Sequence, residues 1–170
     1  MKYNDSEITV EGYVTIATPY KKQRVKNTIL FNYFNALLEA TSGTGSSYGV
    51  NFYYSIPRPS LELGTDTSTP TTGTTSSLAS PISNTYIGLN TNISTDGATM
   101  WYISLSYIYN TSFFPTQYTI GEIAYYGYNY NGSNLAFSRL AVADGTFSAV
   151  TVNASTPLSI NWIFEFKYGA

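Results

Sequence analysis

The side chains that most often carry chemistry are scarce or missing in this sequence. The 170-residue chain has no Cys and no His. That removes thiol nucleophiles, disulfides, iron–sulfur clusters and thiolate zinc sites. It also removes the usual general base near neutral pH and the commonest metal ligand. Ten carboxylates remain. Glu122, Asp144 and Glu165 fall near strand ends or turns, where two carboxyls could meet at the separations that glycoside hydrolases use. Ten scattered acids make such proximity frequent by chance, and nothing in the sequence signals a cleft. A cation would need oxygen ligands, and Asp66 and Asp96 are the candidates. Neither matches the D-x-D-x-D-G spacing of a calcium loop. The chain therefore reads as a non-enzyme, with no catalytic residues, no metal site and no cofactor.

Two groups of residues point instead to binding. Tyr125, Tyr126, Tyr128 and Tyr130 crowd the approach to Asn131-Gly132, and Phe113 and Phe114 lie just before them. Tyrosine buries a large apolar area at low entropic cost and keeps a hydroxyl for a wet rim, so it is enriched where subunits meet. These six residues form the expected contact surface; the competing readings are cross-strand pairing within a sheet and a platform for stacking sugar rings. The second group is Lys21, Lys22, Arg24 and Lys26, half of the eight basic residues within six positions. It suits docking onto an acidic neighbour, or equally a solvated turn. Four cations without interleaved aromatics are not the pattern of a nucleic-acid site, and a net charge of -2 gives no general attraction to one.

The elements that would position these residues are mostly strands. Ile8, Val10, Val14 and Ile16 alternate as a half-buried strand does. Residues 25–40 carry one helical stripe, Val25, Ile29 or Leu30, Phe34, Leu37 and Leu38, with Thr41-Ser42-Gly43 as its stop. Val50, Phe52 and Tyr54 alternate again. Residues 64–81 are a Thr/Ser-rich stretch expected to be an exposed loop. Strands are expected over Ile82–Leu89, Met100–Tyr109, Tyr118–Tyr130 and Leu135–Val142, with turns at Asp96-Gly97, Asn131-Gly132 and Asp144-Gly145. The last strand is the clearest: Leu158, Ile160, Trp162, Phe164 and Phe166 face one way, with Ile163 the apolar exception on the other. The expected core is Trp101, Ile103, Leu105, Ile160, Trp162, Phe164 and Phe166.

Composition agrees with a folded β protein. The chain holds 23 Thr, 20 Ser, 17 Tyr and 14 Asn, while charged residues are only 11%, against about 25% in ordinary domains. Thr and Tyr favour strands, and Ser, Asn and Gly favour turns. The expectation is an all-β chain: one domain over 1–170, a single β-sandwich of jelly-roll type with about eight strands and one helix near 25–40. Residues 1–7 would be an N-terminal arm. Met1-Lys2-Tyr3-Asn4-Asp5 opens no secretory leader, and no apolar run reaches the roughly 18 residues of a membrane span.

Two stretches, one over Leu63–Ile82 and a longer one running from Gly121 to Phe166, resemble in order the structural proteins of tailed phages and archaeal viruses. Leu63–Ile82, LGTDTSTPTTGTTSSLASPI, is similar to the Gly/Thr/Pro-rich "TDT" segment of those proteins. Gly121-Glu122-Ile123-Ala124, Leu135-Ala136-Phe137-Ser138-Arg139 and Pro157–Phe166 are similar to their ending, E-I-G … L-F-A-R … L-x-I-x-W-x-I-x-F. The stretch from Arg24 to Leu38 also occupies a similar place in that pattern. Ala124 stands where the pattern has Gly, and the hairpin that follows is longer and richer in Tyr. The resemblance implies a virion part, whether shell, turret, spike or tail, made in the host cytoplasm. Its partners would be copies of itself and other virion proteins, or a host-surface glycan. Low charge leaves few ion pairs to lose in acid, and absent Cys with two Met leaves little to oxidise. Both suit a virus of an acidic, hot habitat. The rival expectations are a carbohydrate- or receptor-binding spike module, and a cell-surface filament subunit with a donated strand such as Ile8–Ile16.

Overall fold

A computed structural model describes residues 8–29, 60–72, 75–88, 92–97, 99–128 and 134–168. Among them are twelve strands: β1 Ile8–Ala17, β2 Lys22–Lys26, β3 Thr28–Ile29, β4 Ser60–Gly64, β5 Ile87–Gly88, β6 Asn92–Thr95, β7 Met100–Tyr109, β8 Tyr118–Ile120, β9 Glu122–Tyr128, β10 Asn134–Ala141, β11 Val150–Val152 and β12 Leu158–Tyr168. Two single 3₁₀ turns, Thr111–Phe113 and Val142–Asp144, complete the described elements. The described residues are all-β, and their strand pairs are antiparallel. One five-stranded sheet has the order β2-β1-β12-β7-β6 and a second has β3-β10-β9-β4-β5, with β11-β8 as a separate pair.

Alternation sets the first sheet. Val14 and Ile16 of β1 lie opposite Trp162 and Ile160 of β12, which lie opposite Leu105 and Tyr107 of β7. Their side chains meet Leu61, Leu63, Ile123, Tyr125 and Phe137 of the second sheet in one core. Tyr125 touches Trp162 at 6.2 Å and Phe164 at 5.1 Å between ring centres. β1 is an interior strand of its own sheet, the place that a donated strand would take. Leu105, Ile160, Trp162 and Phe164 are buried as expected, and Ile103 and Phe166 pack half-buried against them. Trp101 does not join the core: it is 56% exposed, because it sits at the end of β7 beside Thr95, where the cover over that face runs out.

The helix expected over 25–40 is not found where it can be seen. Val25 and Lys26 belong to β2 and Thr28–Ile29 is β3, and 30–40 lie outside the described residues, as do 1–7, 50–54 and the Asn131-Gly132 turn. Val25, Asn27 and Ile29 also fit a period of two, and the turn before them decides the matter. Thr18 closes it by accepting the Tyr20 and Lys21 amides on its hydroxyl (3.3 and 3.1 Å) and donating its own amide to the Lys21 carbonyl at 2.8 Å. The returning chain is thereby held beside β1 and pairs with it as a strand. Asn27 then carries the chain from one sheet to the other. Its amide donates to the Gly12 carbonyl at 3.0 Å, and its side chain donates to Ser138 Oγ at 2.6 Å.

The stretch expected as one strand over Tyr118–Tyr130 is broken at Gly121. Its amide bonds the Gly64 carbonyl and its carbonyl accepts from the Val142 amide. A side chain there would collide with the Asp66 carbonyl and the Thr67 methyl. Because backbone cannot swing aside, Gly121→Ala is expected to cost about 1–3 kcal/mol in urea unfolding; an unchanged midpoint would contradict this packing.

Candidate functional site

β9 is covered on both faces. Ile123 and Tyr125 enter the shared core, while Glu122, Ala124 and Tyr126 point the other way and are just as buried. What covers them is the 64–81 segment. Its ends are tied together by Thr65 N–H to the Ser80 carbonyl (2.9 Å) and Ile82 N–H to the Leu63 carbonyl (2.8 Å). From there it folds back onto the sheet, and Leu78 packs with Ala124, Tyr126 and Ala136. Most of its hydroxyl residues remain exposed.

Beneath it lies a buried ion pair. Arg139 Nη2 donates to Glu122 Oε2 at 2.7 Å, the two side chains being 1% and 0% exposed. The loop supplies the remaining partners. The Ala79 and Ser80 amides donate to the Glu122 carboxylate at 3.0 and 2.7 Å. Arg139 donates to the Thr69 carbonyl at 3.2 Å and to Thr71 Oγ1 at 3.3 Å. Thr71 in turn donates its amide and hydroxyl to Asp144 at 2.7 and 2.6 Å. Among the described residues only Arg139 Nε of this set has no hydrogen-bond partner.

Of the three carboxylates considered for acid–base work, Glu122 and Asp144 thus meet on one face, joined through Arg139 and Thr71. Glu165 lies on the outer face of the other sheet, 3.5 Å from Lys167 and 3.9 Å from Arg24. The Glu122 carboxylate, sealed from water and held by a guanidinium and two amides, fastens the loop to the sheet. Asp66 and Asp96 serve their own turns: Asp66 accepts from Ser68 Oγ and the Thr69 amide, and Asp96 accepts from the Thr99 and Met100 amides. No group of three or more metal-ligating acids occurs among the described residues.

The aromatic residues divide differently from the expected contact surface. Phe114, Tyr125 and Tyr126 are interior, and burial raises the hydroxyl pKa of both tyrosines. Phe113 is half-buried, edge-on to Tyr107 and Tyr109. The Tyr128 side chain and Tyr130 lie outside the described residues. Phe114 and Tyr125 are spent in the shared core, and Tyr126 lies under the 64–81 segment, which turns β9 into a strand with two covered faces. The uninterrupted apolar run Ile123–Tyr126 is the signal for that, since one-sided strands alternate. Arg139, Thr71 and Trp101 are the residues whose roles were missed.

The basic run lies along β2. Lys21 and Lys22 are exposed; Arg24 and Lys26 are engaged on the outer face of the sheet. Arg24 stands over the Tyr13 ring at 4.9 Å. Glu11 accepts from Lys26 at 2.9 Å and Lys167 at 2.6 Å, and these bonds hold its carboxyl down at about 2. Hydrogen bonds from the Thr69 backbone and the Thr69 and Ser68 hydroxyls hold Asp66 likewise at about 2. Glu62 moves the opposite way: half-burial raises its pKa, the nearby Glu122 charge adds to this, and a hydrogen bond from Tyr126 partly offsets it.

Two predictions follow from this geometry. Arg139→Met is expected to destabilise the fold by about 3–5 kcal/mol, because it strands a buried carboxylate, and Glu122→Gln combined with Arg139→Met is expected to recover part of that loss; a double variant no more stable than the single one would contradict it. A raised folded-state pKa makes Glu62 favour the native state while protonated and oppose it as pH rises. Glu62→Gln is therefore expected to raise Tm at pH 7 and leave it unchanged at pH 3. Compared with family models, curated proteins and solved structures, the chain matches none.

Proposed function

We propose that this chain is a virion structural protein, a β-sandwich of jelly-roll type that self-assembles into a symmetric oligomer in a virus of an acidic, hot habitat. The observation that carries the reading is where the resembling segments meet. The "TDT" loop, Glu122 of the E-I segment and Arg139 of the L-x-F-x-R segment are distant in sequence and come together in one buried ion pair. Residues that hold one another in this way form a single unit, so the resembling segments are joined in space as well as ordered along the chain. The shared core of the two five-stranded sheets, and a chain that passes repeatedly between them, support the sandwich.

The acid habitat draws on the titrating groups. Carboxyls with depressed pKa lend stability that is complete above their ordinary range and is lost progressively as pH falls from that range through the folded value. For Glu11 and Asp66 the folded value is about 2, so part of their small, solvent-screened contribution remains at pH 3. Glu62 gains on acidification.

One observation favours the carbohydrate-binding alternative: Trp101 presents an open indole at the sheet end, while Trp162 is fully buried. Sugar-dependent quenching of tryptophan emission would then report on Trp101.

The deciding measurement is the mass in solution, by light scattering after size exclusion at pH 3 and pH 7. A discrete closed oligomer, folded at both pH values, is the expected result. A monomer at both would reject self-assembly, and unfolding between pH 2 and 4 at moderate temperature would reject the acid habitat.

A further inference from the structure

The two outer strands of the first sheet differ in kind. An outer strand leaves a row of amides and carbonyls unpaired, and natural sheets guard such edges with charge, proline or bulges. β2 is guarded by Lys22, Arg24 and Lys26. β6, Asn92-Ile93-Ser94-Thr95, has neither charge nor proline, and all four residues are exposed. On the face that is core elsewhere in the sheet, Ile93 is 46% exposed and the neighbouring Trp101 56%. Ile93 lies opposite Ile103, and Thr95 opposite Trp101. Among the described residues, an open backbone edge and an apolar strip therefore coincide.

We propose that β6 pairs antiparallel with β6 of a second copy about a twofold axis, joining two five-stranded sheets into one of ten strands. This rests on the self-assembly reading above and names its contact. A twofold axis sets each residue near its own copy, so the edge it joins must tolerate itself. β2 would bring its row of cations against the same row, and like charges across a strand pair are destabilising. β6 brings only neutral groups together. Directly opposed residues of antiparallel strands share a face, which restricts the axis to Ile93 or Ser94. The Ile93 register places isoleucine on isoleucine on the apolar face and Asn92 against Ser94 on the polar one. A second copy is thus matched in charge, in polarity and in backbone pairing.

The absence of Cys makes the contact directly testable. Opposed Cα atoms in such a pair lie about 4.5–5.5 Å apart, within disulfide reach. Ile93→Cys is expected to give a covalent dimer under mild oxidant, on a non-reducing gel, while Lys22→Cys on the other edge stays single. Ile93→Lys, which guards the edge as β2 is guarded, is expected to lower the wild-type mass in solution at least twofold with the circular dichroism unchanged. If I93C links no faster than K22C while the wild type is oligomeric, the contact lies elsewhere and this proposal falls, though self-assembly stands. If the wild type is monomeric and I93C does not link, both fall, and the edge belongs to another occupant such as an extended peptide or a glycan.

Discussion

The second sheet depends on one ion pair that water cannot reach. Burying Glu122 and Arg139 removes hydration worth several kcal/mol per charge, and their mutual attraction offsets this only when the remaining hydrogen-bonding positions are filled as well. Here the filling comes from a loop, so the loop has to lie where it does. Its position in turn requires Gly121 to carry no side chain, Ala124 to be small and Leu78 to close the surface above them. The pair has a second effect. β9 is apolar on both faces, and a strand of that kind is poorly held in register by hydrophobic alternation. Seating Glu122 beneath the Ala79 and Ser80 amides, with Arg139 across from Ala124, fixes which residues point inward.

How much of this could be read in advance follows the same physics. β1, β7 and β12 were legible because each has one dry face and one wet face, and a period of two is visible in the residue types. The interior of β9 was not, since its second dry face is made by residues some forty positions away. The helix reading failed at Val25–Ile29 because spacings of two and four coincide over so short a run, and the Thr18–Lys21 turn sets the path. Trp101 has the right parity for the core but the wrong height along the strand, and height depends on where the other sheet ends. Arg139 stood in the sequence as one letter of a motif; only its distance to Glu122 gives it a role.

Charge is rationed by place rather than spread. Glu11, Arg24, Lys26, Glu165 and Lys167 gather on the outer face of the first sheet, close enough to share partners, and one further pair is sealed inside the second sheet. Exposed pairs of this kind contribute little to stability. They do mark one face and one edge as wet, in contrast to the neutral edge across the sheet.

The pairing of β1 with β12 carries a consequence for how the molecule comes to exist. Ile8 lies opposite Tyr168 and Ala17 opposite Ser159, so β1 finds its main partner in β12, with every other described strand lying between them in the chain. On a ribosome β1 must wait for β12 to emerge, its apolar side uncovered until then. Closing so large a loop delays the rewarding contacts, and topologies dominated by such distant pairings fold on the slow scale of milliseconds to seconds. Completion of the first sheet is thus a late, single event, which ties its readiness for any partner to synthesis of the chain through β12.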